Sequence, residues 1–212
     1  MIAAIETPDI LFADSEIVVI NKAADLLSVP GRGEHKQDCL WRRVQCRFPT
    51  ARIVHRLDYA TSGIMVLGLT TESHRHLSIQ FQERQTQKSY QAIVAGQLPT
   101  AAGCVDQPLR CDWDNRPLQI VDHEAGKTAQ TYWHIIEHLE DATRVELTPI
   151  TGRSHQLRVH MQYLGHPILG DRFYATPAQQ RRAERLLLHA QSLSFSHPTN
   201  HQALTFTSKC PF

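Results

Sequence analysis

The segment from Ile53 to Leu69 places charged side chains directly in front of an apolar stretch. It reads Ile-Val-His-Arg-Leu-Asp-Tyr-Ala-Thr-Ser-Gly-Ile-Met-Val-Leu-Gly-Leu, so a His-Arg-Leu-Asp part is followed by a Thr-Ser-Gly turn. Residues 64–69 predict a buried strand, because a short apolar run bounded by turn residues is typical of one. A carboxylate and a guanidinium beside a buried strand cost free energy unless they are paired or functional. Asp58 is therefore the first candidate for chemistry.

The remaining pattern combines many strands with irregularly spaced helices. We predict strands over residues 9–12, 16–21, 64–69, 88–96, 130–138, 143–149, 186–195 and 203–207. The strands over 130–138 and 143–149 are predicted to form a hairpin across Leu139-Glu-Asp-Ala142. We predict helices over residues 38–48, 71–83, 154–164 and 177–185, with Asp38 capping the first and Thr70 or Thr71 the second. Residues 97–129 are rich in Pro, Gly, Asp and Asn and predict short strands and loops. With no βαβ rhythm, the pattern favours one α+β domain over residues 1–212, built on a mixed, largely antiparallel sheet.

Composition and charge exclude several classes of protein. No secretory signal and no membrane-length apolar window is present. The five cysteines are odd in number and lack a C-x-x-C pair, so we expect a cytoplasmic protein without disulfides or a zinc ribbon. The net charge of +1 gives no general argument for a polyanionic partner. Arginines nevertheless cluster in short regions, and arginine suits phosphate contacts and base stacking, so RNA is a plausible partner. These clusters comprise Arg42, Arg43, Arg47, Arg52 and Arg56, then Arg153, Arg158 and Arg172, then Arg181, Arg182 and Arg185.

Three stretches carry residues suited to one site, and each also has a structural interpretation. The stretch His55–Gly63 contains Asp58, for which the structural interpretation is a carboxylate that caps a turn. The second, Lys88-Ser89-Tyr90, begins a strand in which a tyrosine is ordinarily core. The third is Thr151–His160. If it is helical from Ser154, then His155 and Arg158 share one face, and Arg153 with the helix N-terminus adds positive potential for a phosphate or carboxylate.

Other catalytic classes fit the sequence poorly. His155 and His160 are five apart, whereas two metal ligands on one helical face need a spacing of four, and no H-E-x-x-H motif is present. We therefore expect no metal. A serine hydrolase lacks its G-x-S-x-G elbow. The Gly31-Arg-Gly33 segment is not followed by the G-K-[ST] of a phosphate loop.

Taken in order, the motifs resemble those of a known family. H-R-L-D-x-x-T-S-G, K-x-Y, G-R-x-H-Q-L-R-V-H, G-H-P-I-L-G-D and L-L-H-A together resemble the RluA family of RNA pseudouridine synthases, from about Asp9 to Phe206. The segments Leu26–Arg32 and Gly170–Ala175 are most similar to members that modify both large-subunit ribosomal RNA and the tRNA anticodon stem-loop. The resemblance implies the pseudouridine synthase fold and isomerisation of uridine to pseudouridine without cofactor or metal. Many relatives begin with an S4 RNA-binding module, for which the first strand at residue 9 leaves no room. We expect a monomer that reads RNA through its catalytic domain.

The resemblance also implies roles for individual residues. Asp58 matches the essential aspartate, Arg158 the arginine that pairs with it, and Tyr90 the tyrosine that stacks on the target base. Arg56 matches the residue that fills the gap left by the extruded base, since a stacked nucleotide must be flipped out to react. Leu188 matches the apolar residue on the other face of the uracil. Further substrate-binding candidates are His55, Arg153, Arg32, Arg42, Arg43 and Arg47, of which the last four are expected to contact phosphates.

Two alternatives of other classes remain open. One is a catalytically idle RNA-binding or assembly protein on the same fold, which would tolerate Asp58→Ala. The other is a small-molecule hydrolase using Asp58 and a histidine, whose turnover would be insensitive to competing RNA.

Overall fold

The computed structural model describes residues 7–212, with His35 described by its backbone alone. The chain forms two compact units, one made of the residues up to 87 together with 190–210, and the other of 88–189 with 211–212. The described strands are Asp9–Ala13 (β1), Ile17–Lys22 (β2), Arg52–Ile53 (β3), Ser62–Gly68 (β4), Gln87–Ala95 (β5), Ala102–Asp106 (β6), Leu109–Cys111 (β7), Gln119–Val121 (β8), Gln130–Leu139 (β9), Ala142–Pro149 (β10), Leu188–Ser196 (β11) and Ala203–Thr207 (β12). The described α-helices are Leu40–Gln45 (α1), Thr71–Gln82 (α2), Gln156–Tyr163 (α3) and Pro177–Gln180 (α4).

The first unit is organised around the buried strand β4. All seven residues of this strand are buried, as the apolar run predicts. It pairs antiparallel with β2, which pairs with β1, and with the short β3, which was not predicted. Strand β12 pairs antiparallel with β11. The core of this unit brings together Ile17, Val19, Ile64, Val66, Leu77, Leu193 and Phe195.

The two helices of the first unit differ in how well local sequence predicts them. Helix α2 begins as predicted, because Thr70 accepts a hydrogen bond from the Ser73 N–H in a capping box. Helix α1 is shorter than predicted, and its N-cap is Cys39 rather than Asp38. The Asp38 carboxylate instead accepts hydrogen bonds from Nε and Nη2 of Arg43 at 2.9 and 2.8 Å. The charge-assisted pair therefore replaces the expected cap.

The second unit contains a four-stranded antiparallel arrangement and a small separate hairpin. Strand β10 lies between β5 and β9, and β9 also pairs with β6. The predicted hairpin of β9 and β10 is confirmed, with Asp141 in the left-handed region at its turn. Strands β7 and β8 form the hairpin within the loop-rich region. Because the strand pairs described above are antiparallel and helices flank them, the predicted α+β class is confirmed.

The last two helices are shorter than predicted. Helix α3 begins at Gln156 instead of Ser154, because His155 has φ 53° and ψ 14°, outside the right-handed helical region. Helix α4 ends at Gln180 instead of Arg185. Beyond it the hydrogen bonds of Arg182 and Ala183 reach back three residues rather than four, so the last turn tightens and ends. No helix within residues 7–212 is long and apolar enough to cross a membrane.

Candidate active site

The loop that carries Asp58 is fixed on both sides by residues far away in sequence. Ser28 Oγ donates to the Leu57 carbonyl at 2.7 Å and accepts from the Leu57 N–H at 3.2 Å. Lys22 is 1% exposed. Its ammonium donates to the Tyr59 carbonyl at 3.1 Å and to two further backbone carbonyls. The main chain before and after Asp58 is therefore held in place, while Asp58 itself is half-buried.

The chain leaves this loop through a close approach of two backbones. The Thr61 N–H donates to the Asp58 carbonyl, which closes a turn over residues 58–61, whereas the predicted Thr-Ser-Gly turn covers residues 61–63. Ser62 and Gly63 already belong to β4. Gly63 has φ +120°, and a Cβ there would lie 2.3 Å from the Ala190 carbonyl oxygen. A glycine is thus required at this position of the motif.

His55 and Arg56, next to Asp58 in the motif, have different surroundings. The His55 ring stacks on Phe81 with centroids 4.3 Å apart, and its Nε2 accepts from the Val66 N–H at 3.1 Å. His55 therefore helps to hold the loop against β4 and α2. Arg56 is exposed. The substrate-binding roles of both residues stay predictions.

In the second unit, Arg158 forms a buried ion pair that sequence analysis did not identify. Its Nε and Nη2 donate to the two carboxylate oxygens of Asp171, each at 2.7 Å. Arg158 is 4% exposed and Asp171 is fully buried. Asp171 Oδ1 also accepts from the N–H groups of Phe173 and Tyr174. The sequence did contain a signal for this pair in the Asp of the G-H-P-I-L-G-D motif. A carboxylate that follows an apolar, buried segment needs a partner.

Aromatic rings surround this ion pair. The Arg158 guanidinium lies 5.2 Å from the centre of the Phe173 ring and 5.1 Å from that of Tyr174, within the range of cation–π attraction. The Tyr174 hydroxyl forms a hydrogen bond with His155 Nδ1 at 2.7 Å and accepts from the Gln119 N–H at 2.9 Å. Both rings of the Phe173–Tyr174 pair contact His155 and Arg158. The prediction of a shared helical face is wrong, because His155 precedes α3, and the two aromatic rings bring the residues together instead.

The other predicted residues of the second unit lie on different elements. Tyr90 is half-buried on β5, opposite Leu147 of β10, and Leu188 is buried at the start of β11. Arg153 precedes α3 instead of lying within it, and its Nε donates to the Thr128 carbonyl at 3.1 Å. Asp58 belongs to the first unit, so its pairing with Arg158 stays a prediction.

The predicted phosphate contacts are not equivalent. Arg32, Arg42 and Arg47 are exposed, as a contact to RNA requires. Arg43 is half-buried and hydrogen-bonds to Asp38, and this bond lowers the pKa of the Asp38 carboxyl. The charge of Arg43 is therefore already offset, which makes it the weakest of the four candidates.

The histidines of the third motif have protein partners that account for them. His160 is buried, with Nε2 donating to the Gln107 carbonyl and Nδ1 accepting from the Thr131 hydroxyl. Burial lowers the pKa of His160. Within the described part of the chain, no three His, Cys, Asp or Glu side chains are grouped as metal ligands would be.

Comparison with known proteins agrees with this arrangement of motifs. The RNA pseudouridylate synthase family matches residues 16–163. The chain is 53% identical over 204 residues to the dual-specificity RNA pseudouridine synthase RluA of Escherichia coli K12, covering 96% of this chain and 93% of that protein. It is 52% identical to RluA of Yersinia pestis, covering 96% of this chain and 99% of that protein.

A solved structure extends the comparison to the fold. Human RNA pseudouridylate synthase domain containing 1 matches with a TM-score of 0.83 and 28% identity, covering all of this chain and 87% of the human one. Both the predicted fold and the predicted family are thereby confirmed. The chain belongs to the RNA pseudouridylate synthase family and is an isomerase that converts uridine in RNA to pseudouridine.

Proposed function

We propose that Asp58 is the essential catalytic carboxylate and that the substrates are uridines in stem-loops of large-subunit ribosomal RNA and of the tRNA anticodon arm. The observation that carries the role of Asp58 is its loop, in which Lys22 and Ser28 fix the main chain on either side of a half-buried carboxylate. Such fixed geometry is what a catalytic group needs. The dual substrate is supported by the relatives named as dual-specificity enzymes.

The reaction is a rearrangement in which all atoms are conserved. The bond from N1 of uracil to the anomeric carbon breaks, the base rotates, and a bond from C5 to the same carbon forms. The proton leaves C5 and N1 gains one. No oxidant, metal or cofactor is needed, and one monomeric catalytic domain acting in the cytoplasm suffices. Asp58 acts either on the anomeric carbon, or by removing a proton from the sugar, or by attack on C6 of the base.

The remaining residues take supporting roles in this proposal. Arg158 takes the role that the resemblance implies for it, that of the arginine that pairs with the essential aspartate and orients its carboxylate. The bidentate contact with Asp171 uses two of the five N–H groups of the guanidinium and fixes its plane. Tyr90 and Leu188 enclose the flipped uracil, and Arg56 occupies the space that it leaves.

Tritium release from C5 of labelled uridine in RNA tests the role of Asp58. We expect Asp58→Asn to reduce release by at least about 100-fold, in the range of a lost acid–base or nucleophilic group. Its affinity for RNA should stay within about threefold. Asp25→Asn is the matched control, because Asp25 is an exposed loop aspartate of the same unit with φ 53°, which asparagine also adopts. Unchanged release by Asp58→Asn would refute the assignment.

The substrate is tested with RNA from cells that lack this protein. Purified enzyme should form pseudouridine in both the tRNA and the large-subunit ribosomal RNA, and sequencing after carbodiimide treatment should place the sites in stem-loops. Modification of only one RNA class would contradict the dual substrate. If both fail while another RNA is modified, the enzyme is a pseudouridine synthase with a different target.

Arg158→Met separates the enzyme from a protein that only binds RNA. We expect the rate at saturating RNA to fall sharply while RNA affinity changes little. In a protein whose only task is binding, Arg158→Met would leave the cellular pseudouridine pattern unchanged. Any effect of the substitution would then be on RNA affinity.

A further inference from the structure

Phe173 has an unusual position for a large apolar side chain. Its ring lies on the guanidinium of the buried Arg158, yet 47% of the residue is exposed. The backbone is fixed, because the Phe173 N–H donates to Asp171 Oδ1 at 2.9 Å. The ring of His155 stacks against it, with centroids 5.8 Å apart and planes inclined by 20°. Two nearly parallel rings therefore lie beside the proposed catalytic arginine, and nearly half of Phe173 is open to solvent.

The His155 ring is also held in place. Its Nδ1 bonds to the Tyr174 hydroxyl at 2.7 Å, and its backbone adopts φ 53°. The left-handed region is unfavourable for a residue with a side chain, and such strain is retained only where surrounding contacts enforce it. Strained backbones concentrate at functional positions. The strained histidine and the exposed phenylalanine contact each other and belong to the same surface.

We propose that Phe173 and His155 form a stacking platform for an unpaired base of the RNA substrate that neighbours the target uridine. This inference rests on the proposed function. Aromatic faces stack on any nucleobase, and unpaired bases in loops are the parts of RNA that proteins read in this way. The cation beneath the ring and the exposed Arg172 beside it add attraction for the phosphates of the same strand. The base is assigned to a neighbour of the target because Phe173 packs on Arg158, the proposed partner of Asp58, whereas Tyr90 is assigned to the target itself.

A different explanation is that Phe173 only covers the Arg158–Asp171 pair and keeps water away from it. Two substitutions distinguish these roles. Phe173→Leu keeps an apolar cover but removes the planar ring, whereas Phe173→Tyr keeps both. Stacking requires the ring, and covering requires only the apolar volume. Tyr163→Leu is the matched control, because Tyr163 lies in the same unit and is 52% exposed.

The decisive measurement is the affinity for a fluorescently labelled anticodon stem-loop RNA, determined by anisotropy at fixed salt. An Asp58→Asn background prevents turnover during the titration. We expect Phe173→Leu to raise the Kd by about 5- to 100-fold, the range found when one base loses its stacking partner. Phe173→Tyr and Tyr163→Leu should stay within about threefold of the parent.

Abasic substitution along the RNA loop identifies the base that stacks. At one loop position the abasic RNA and Phe173→Leu should be non-additive, because each removes the same contact. Unchanged affinity of Phe173→Leu, or a lower rate without a change in Kd, would overturn the proposal in favour of the covering role. If wild-type protein releases no tritium but Phe173→Leu still weakens RNA binding, the platform stands and the proposed function fails.

Discussion

Asp171→Asn tests whether the buried carboxylate holds Arg158. The substitution keeps the shape of the side chain and removes its charge. In the native protein Oδ1 accepts from Arg158 Nη2 and from two backbone N–H groups, and Oδ2 accepts from Arg158 Nε. An asparagine must place its NH2 group at one of these two positions. Whichever orientation it adopts, a donor then faces a donor, and the guanidinium loses its counter-charge.

The burial of the pair sets the size of the expected effect. Asp171 is fully buried and Arg158 is 4% exposed, so solvent cannot take the place of the lost partner. Removing one member of a buried ion pair costs about 3–5 kcal/mol, because the other charge is left uncompensated. For a chain of this length that corresponds to a Tm lower by about 6–20 °C. The same change at a surface pair has a much smaller effect. Glu137→Gln is the control, because Glu137 is 56% exposed and lies 3.5 Å from Arg144, and it should cost about 0–1 kcal/mol.

Equilibrium unfolding in urea measures the stability, and tritium release measures the consequence for the reaction. We expect Asp171→Asn to lower the rate at saturating RNA as well as the stability, since Arg158 loses its fixed plane. The double variant Arg158→Met with Asp171→Leu should be more stable than either single variant, because a buried pair can be replaced by apolar side chains, but it should remain inactive. A loss below about 1 kcal/mol for Asp171→Asn, or additive losses in the double variant, would refute the reasoning.

Three further predictions concern the stability of the strands and helices that surround the candidate site. Gly63→Ala should destabilise the protein by at least about 2 kcal/mol in urea unfolding, because its Cβ would meet the Ala190 carbonyl at 2.3 Å in a left-handed backbone, whereas Gly152→Ala, with no atom within 4 Å, should have little effect. Thr70→Ala should cost about 1–2 kcal/mol through loss of the α2 cap, while exposed Thr71→Ala should cost less than about 0.5 kcal/mol; equal losses would contradict the capping role. Burial lowers the pKa of His160 below 6.5, so the unfolded state takes up its proton first and stability should decline as pH falls from about 6.5 towards the folded pKa. His160→Gln should show a smaller loss of stability between pH 7.5 and 5.5, and an unchanged slope would show that His160 does not contribute.

Local signals in the sequence account for much of the fold. The apolar run of β4, the Thr70 cap and the two-residue turn between β9 and β10 act over a few neighbouring residues, and each was predicted with bounds close to those observed. The start of α3 was not predicted, because the left-handed backbone of His155 accompanies contacts of its ring with residues 18 and 19 positions further along the chain. Helix propensity carries no information about such contacts.

The candidate site shows the same division between local and distant interactions. Asp58 was identified as the leading carboxylate from its immediate neighbours, whereas the groups that fix its loop lie far away in sequence. Ser28 acts across 29 positions and Lys22 across 37. Both act on backbone carbonyls, which every residue has, so no side-chain pattern near Asp58 reveals them. The motif therefore predicts the candidate catalytic side chain, but not the residues that fix the position of its loop.

The pair of Arg158 and Asp171 explains why a buried aspartate stands in the Gly-Asp motif. Replacing a buried ion pair by apolar side chains is often neutral or stabilising, so stability alone gives little reason to keep the charges. A guanidinium held by two 2.7 Å hydrogen bonds from one carboxylate is, however, fixed in both position and plane. An arginine that must orient a catalytic carboxylate needs that fixed plane, and an arginine that only packs does not. We infer that Asp171 is a positioning residue that acts through Arg158. Asp171→Glu should accordingly restore part of the stability lost in Asp171→Asn but less of the rate, because a longer side chain returns the charge without the same geometry.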